Sequence, residues 1–229
     1  MATILNIETS TNVCSTAIGR DGEIVFHLED YDGSTQANNL GLFVQRSLAY
    51  LADSGGRLDA VAVSCGPGSY TGLRIGVSMA KGLCFGRQLP LIAIPTLETL
   101  CVIPLLYNDL EEDARLCPMI DARRMEVYTA LYDRALHQLM PTTAMVIGEG
   151  AFGRELDEGI IYFMGNGADK CKQAITHANA RFIDNIAPLA KSMAILAEKA
   201  YAAQDFKDVA YFEPFYLKDF VASTPKKLL

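Results

Sequence analysis

Apolar positions along the chain alternate between short continuous runs rich in β-branched residues and longer stretches in which they recur every three or four residues. The first kind reads as buried strand and the second as helix. Ala2 to Ile7, Val13 to Ile18 and Glu23 to Leu28 predict three strands, the last two joined by a hairpin at Arg20, Asp21 and Gly22. Ser34 or Thr35 then caps a helix running to about Ala52. Leu40, Phe43, Val44, Ser47, Leu48 and Leu51 share one face of it, while Leu42, Ala49 and Tyr50 lie off that face, which calls for a second contact. Ala60 to Ser64 and Leu89 to Ile94 are further strands, and Pro95, Thr96 and Leu97 open a helix that Pro104 disturbs.

The polar stretch Tyr107 to Arg115 marks a boundary, after which the opening pattern returns. Cys117 to Ile120 and Glu126 to Tyr132 predict strands around a turn of Asp121, Ala122, Arg123 and Arg124, and His137 to Met140 begins another. Gly159 to Met164 is a strand leading through Gly165, Asn166 and Gly167 into a helix from Ala168 to about Ala178. Pro188 opens a last helix to about Gln204. A mixed pattern recurring after about 115 residues predicts a duplicated α/β lobe. The division falls at residues 1–106 and 107–208, with a tail, 209–229, that is aromatic, then basic, and returns over the first lobe.

Between the predicted lobes' landmarks, one stretch stands apart: Val61 to Gly86, VAVSCGPGSYTGLRIGVSMAKGLCFG. A strand, a glycine-rich turn and a helix capped by Ser69 or Thr71 gather unpaired N–H groups and the positive end of a helix dipole at one spot. Such a spot suits a phosphate or a carboxylate. The loop residues are Gly66, Gly68 and Ser69, and the end of the first strand adds Glu8, Thr9 and Ser10, an acid and two hydroxyls fit for a nucleotide's phosphates or a metal-bound water. Ordinary turn chemistry accounts for the same residues. No P-loop lysine follows Gly72, three residues separate Gly68 from Gly72 where a dinucleotide fingerprint has two, and Tyr70 occupies the nucleophile-elbow position. Within the helix, Gly72, Gly76, Ala80 and Cys84 form a strip of small side chains flanked by Leu73, Val77, Met79 and Leu83. Each helical glycine costs roughly 0.5–1 kcal/mol relative to alanine. Cover by the chain's own sheet, by a partner, or by both is expected to offset that.

Composition narrows the function classes. Across 229 residues the net charge is −7, which argues against a principal role in holding nucleic acid. Six cysteines contain no C-x-x-C pair and read as free thiols in a reducing compartment. The start MATILNIETS lacks a secretion signal, and no apolar run is long enough to span a membrane, so a cytoplasmic protein is expected. His27, His137 and His177 are isolated, which leaves neither a zinc cluster nor a catalytic triad. Asp121, Arg123 and Arg124 suit an anion, or simply form a solvated turn.

IETST near the start, GPGSYTGLRIG in the centre, IDARRMEVYTALY and the terminal EPFYLK together resemble the TsaB (YeaZ) family of bacterial proteins over nearly the whole chain. The resemblance implies a two-lobed, duplicated fold of the actin, Hsp70 and sugar-kinase type. It also implies a role beside TsaD in forming N6-threonylcarbamoyladenosine at position 37 of tRNAs that read ANN codons. The related TsaD proteins carry an H-x-x-x-H metal pair where this chain has STQANNL, Ser34 to Leu40, without histidine. A subunit with neither metal nor catalysis follows, docking on TsaD or a second copy through Gln36 to Ala52 and Gly72 to Gly86. Leu40, Phe43, Val44, Gly72, Leu73, Gly76, Met79, Ala80 and Leu83 would form the interface, and Gly76→Arg or Ala80→Arg would abolish pairing while leaving the chain folded. A TsaE-type ATPase as further partner, a homodimer when alone, tRNA contact only through the complex, no cofactor of its own and ATP at the complex interface are implied likewise. The alternative is a freestanding ATP-dependent enzyme of the same fold. The peptidase (M22-like) label of the wider group finds no nucleophile or metal here.

Overall fold

The computed structural model describes residues 2–33 and 36–218. Its first lobe contains β1 (Thr3–Glu8), β2 (Cys14–Arg20), β3 (Glu23–Asp30), α1 (Gln36–Asp53), β4 (Ala60–Gly66), α2 (Tyr70–Arg87), β5 (Leu91–Pro95) and α3 (Thr96–Tyr107). The second contains β6 (Arg115–Asp121), β7 (Glu126–Tyr132), β8 (Gln138–Val146), α4 (Gly153–Asp157), β9 (Ile161–Met164), β10 (Ala180–Ile183) and α5 (Ala194–Ala202). The sheet orders are β3-β2-β1-β4-β5 and β8-β7-β6-β9-β10. In each, the first three strands of the lobe pair antiparallel and the last two join parallel beside the first. This is the duplicated, two-lobed actin-like α/β fold.

Each sheet is buried on both faces, which explains why its central strands are continuously apolar. Along β4, Val61 and Val63 point into a core with Leu40, Val44 and Val77 of α1 and α2. Ala60 and Ala62 point the other way, against Met193 and Ala197. The lobes thus exchange helices. Leu97, Leu100 and Cys101 of α3 pack with Leu116, Ile120 and Met164 of the second sheet, and α5 covers the first. Lys191 to Glu29 at 2.8 Å and the Ala190 N–H to Ser15 Oγ at 2.9 Å tie the junction.

Several expected elements differ. The helix expected from Ala168 to Ala178 is only a 3-10 turn, Asp169–Cys171. Its neighbours β9 and β10 have four residues each, about 13 Å of strand, so a short connection suffices to return. The helix at Pro188 opens as a 3-10 turn, Ala190–Met193, before α5. The strand begun at His137 runs to Val146 through Pro141, which an edge strand tolerates. The Ser34 or Thr35 cap lies outside the described residues, as does the tail beyond Lys218. What is described of the tail crosses the first lobe: Lys207 N–H donates to Leu91 O at 2.8 Å, Phe215 N–H to Cys65 O at 2.7 Å, and Lys81 Nζ to Ala210 O and Phe212 O at 3.1 and 3.0 Å.

Candidate functional site

The end of β1 and the β4–α2 loop are bonded to each other. Ser69 caps α2, its hydroxyl accepting from the Gly72 N–H at 3.2 Å and its carbonyl from the Leu73 N–H at 2.9 Å. Its own N–H donates to Ser10 O at 2.7 Å, and Thr9 Oγ1 donates to Gly72 O at 2.7 Å. Two glycines permit this approach: a Cβ on Gly68 would overlap the Ser10 carbonyl, and one on Gly76 the Thr9 hydroxyl. Gly66, at φ +106°, lies against the carbonyl of Phe215, so the tail closes the loop from the other side. Tyr70 and Tyr216 pack beside it, their rings tilted by 40° with centroids 4.8 Å apart.

Inside this junction sits a carboxyl group. Glu8, Thr9, Ser10 and Ser64 are fully buried. Glu8 Oε1 accepts the Ser10 N–H at 2.5 Å, whereas among the described residues Glu8 Oε2 and the Ser10 and Ser64 hydroxyls, though close to one another, find no partner in hydrogen-bond geometry. Burial pushes the Glu8 carboxyl up to about 7; the Ser10 and Ser64 groups nearby draw it only partly back. Unpartnered buried polar atoms are costly and mark a place where something is accommodated or strain is stored. Cys65, alongside, is no nucleophile, since burial pushes its thiol up to about 12. Among the described residues no group of three or more His, Cys, Asp or Glu side chains is placed to hold a metal ion. The anion-suited loop therefore spends its Ser69 and Gly72 N–H groups internally, and the chemistry left over is one neutral-leaning carboxyl and two hydroxyls.

The residues expected to dock a partner separate into two sets. Leu40, Phe43, Val44, Gly72, Leu73, Gly76 and Ala80 are buried in the chain's own core. They face inward: the small-residue strip seats α2 on β1 and β4, with Gly76 over Thr9 and Val63. Gly76→Arg or Ala80→Arg would consequently break the fold before it tested pairing. Met79 and Leu83 are half-buried. The outward face carries Gly41, Leu42 and Tyr50 on α1 and Ser78, Gly82, Phe85 and Gly86 on α2, with Phe85 83% exposed. A Cβ on Gly41, Gly82 or Gly86 would touch nothing among the described residues. The signal for this face lay on the side of the helix opposite the strip, in Gly82, Phe85 and Gly86.

A family model described as TsaD, tRNA N6-adenosine threonylcarbamoyltransferase, matches residues 35–226. The tRNA threonylcarbamoyladenosine biosynthesis protein TsaB of Bacillus subtilis is 30% identical over 224 residues, 94% of either chain. That of Escherichia coli is 38% identical over 131 residues, 57% of this chain and 55% of the relative. Among solved structures, YeaZ from Pseudomonas aeruginosa superposes with a TM-score of 0.81 at 25% identity, over 95% of this chain and 100% of that one. With a family model matching residues 35–226 and a relative 30% identical over 94% of either chain, the chain belongs to the TsaB (YeaZ) family of tRNA threonylcarbamoyladenosine biosynthesis proteins.

Proposed function

We propose that this chain is a non-catalytic partner subunit in the formation of N6-threonylcarbamoyladenosine on tRNA, docking a TsaD-type catalytic subunit on the outward face of α1 and α2. One observation carries the reading. Gly82 and Gly86 flank the exposed Phe85, and nothing among the described residues requires a glycine at either place. Glycine in a helix costs roughly 1 kcal/mol relative to alanine, so the close approach of another backbone is the natural compensation. An aromatic side chain amid such a surface is the kind of anchor on which interfaces concentrate their energy. The same face serves a second copy when the chain is alone, and the TsaD-type partner displaces it. Any ATP sits at the joint with that partner, a TsaE-type ATPase joins the assembly, and the work is done in the cytoplasm. Among the described residues no helix is long and apolar enough to cross a membrane.

The second reading, a freestanding ATP-dependent enzyme, draws on the unpartnered Glu8, Ser10 and Ser64 atoms. The internal use of the Ser69 and Gly72 N–H groups counts against it. Chromatography with light scattering of the chain alone and mixed with a TsaD-type protein tests the proposal. A heterodimer replacing monomer or homodimer is expected. Separate elution with and without ATP would refute it, and ATP binding by the isolated chain in calorimetry would favour the enzyme.

A further inference from the structure

The β6–β7 turn holds two consecutive arginines where the backbone favours other residues. Arg123 and Arg124 have φ of +73° and +51°, the left-handed region that glycine and asparagine occupy with least strain. Both are exposed. Among the described residues neither guanidinium has a hydrogen bond or an ion pair, because the turn's acids are engaged elsewhere. Asp121 Oδ1 accepts the Arg123 backbone N–H at 3.0 Å and Lys170 Nζ; Lys170 also donates to the Glu126 carbonyl at 2.7 Å, and Lys218 pairs with the Glu126 carboxylate. Four cations against two acids leave a positive island on a chain whose net charge is −7.

We propose that Arg123 and Arg124 bind the phosphate oxyanions of an RNA backbone, which rests on the reading that the assembly works on tRNA. The planar guanidinium fork matches phosphate oxygens in pairs. Two such forks on an exposed turn suit successive phosphates of a strand, whereas a small nucleotide is normally held in an enclosing pocket. Contacts of this kind position RNA without reading its sequence, so a chain that is acidic elsewhere needs only this patch. The strained backbone is then the cost of placing arginine where a turn would accept asparagine and glycine.

The test is the double substitution Arg123→Asn with Arg124→Gly, examined in the complex with the TsaD-type subunit using an unmodified tRNA transcript as probe. The substitution removes both charges while relieving the backbone, so the melting temperature is expected to hold or rise. RNA affinity is expected to fall about tenfold or more, and the log–log salt slope to shrink by about two, near 0.9 for each lost phosphate contact. Arg154→Gln, an exposed arginine on α4, should leave both unchanged. Affinity and slope equal to wild type would overturn the proposal, as would unchanged RNA binding accompanied by weakened ATP binding. Assembly is measured separately by light scattering. If no complex forms, the titration is made on the chain alone at low salt: arginine-dependent RNA binding there sustains the inference although the partner reading has failed, and no binding overturns it.

Discussion

The two lobes share one strand order but bridge their parallel strands differently. The first uses α1 and α2, 18 residues each; the second uses α4, of five residues, and a 3-10 turn of three. Since the shorter connections build the same sheet, the topology does not require the longer ones. The inner faces of α1 and α2 fill a core, and their outer faces carry the exposed Phe85 and exposed glycines on which a Cβ would meet no described residue. The acids at the ends of the first strands diverge as well. Glu8 is sealed in and pushed towards neutrality, whereas Asp121 is exposed and pairs with Lys170. The first lobe is built around a covered junction and a presenting face, the second around an open turn.

The largest expected effect breaks this asymmetry directly. Phe85→Asp combined with Gly82→Arg should weaken pairing by about a thousandfold, roughly 4 kcal/mol, without lowering the melting temperature of the monomeric chain. Arg154→Glu on the second lobe should alter the same sedimentation or light-scattering binding curve less than twofold.

Next comes the buried acid. The folded pKa of Glu8 is raised from 4.5 to about 7, so the protonated form is the one the fold prefers. Its contribution is fully present below pH 4.5 and is lost as pH rises through 7, about 3 kcal/mol in all. Thermal melts should therefore fall between pH 5 and 8 in the wild type, and Glu8→Gln should flatten that slope. A wild-type curve without it would remove the neutral carboxyl. Asp121→Asn, in an exposed pair, should change stability by under about 1 kcal/mol.

Gly68→Ala should cost about 2 kcal/mol by forcing the Ser10 carbonyl aside. Gly82→Ala, on the open face, should instead stabilise the free chain by up to about 1 kcal/mol, so urea unfolding of the pair separates glycines needed within the chain from those kept for another molecule. The last effect concerns the tail: Lys81→Ala removes two donations to the carbonyls of Ala210 and Phe212 and should cost about 1 kcal/mol, read as faster proteolysis there.

Strand and helix periods made most of the first lobe legible, because continuous apolar runs such as Ala60 to Ser64 arise when both faces of a sheet are buried. The return of the strand, acid, turn and strand pattern in the second lobe was legible for the same reason, whereas the order of strands within each sheet was not. The 3-10 turn after β9 was not: Ala168, Cys171, Ala174 and Ile175 carry helical spacing, yet burying one turn's worth satisfies it. Neither was the direction of the small-residue strip. Spacing assigns Gly72, Gly76, Ala80 and Cys84 to one face but cannot say whether that face meets a sheet or a partner. Only the position of Thr9 over Gly76 decides it. The exchange of α3 and α5 between sheets was equally hidden, since α5 meets strands of the first sheet about 100 positions or more away and α3 packs on a sheet formed by later strands, contacts beyond any local period.

Hydrogen–deuterium exchange on the chain, free and bound to a TsaD-type subunit, tests the docking face most directly. Protection is predicted to rise in residues 38–50 and 78–86 and to stay level in residues 153–157 and 169–175. Protection confined to the second lobe, with the outer faces of α1 and α2 exchanging as in the free chain, would contradict the account.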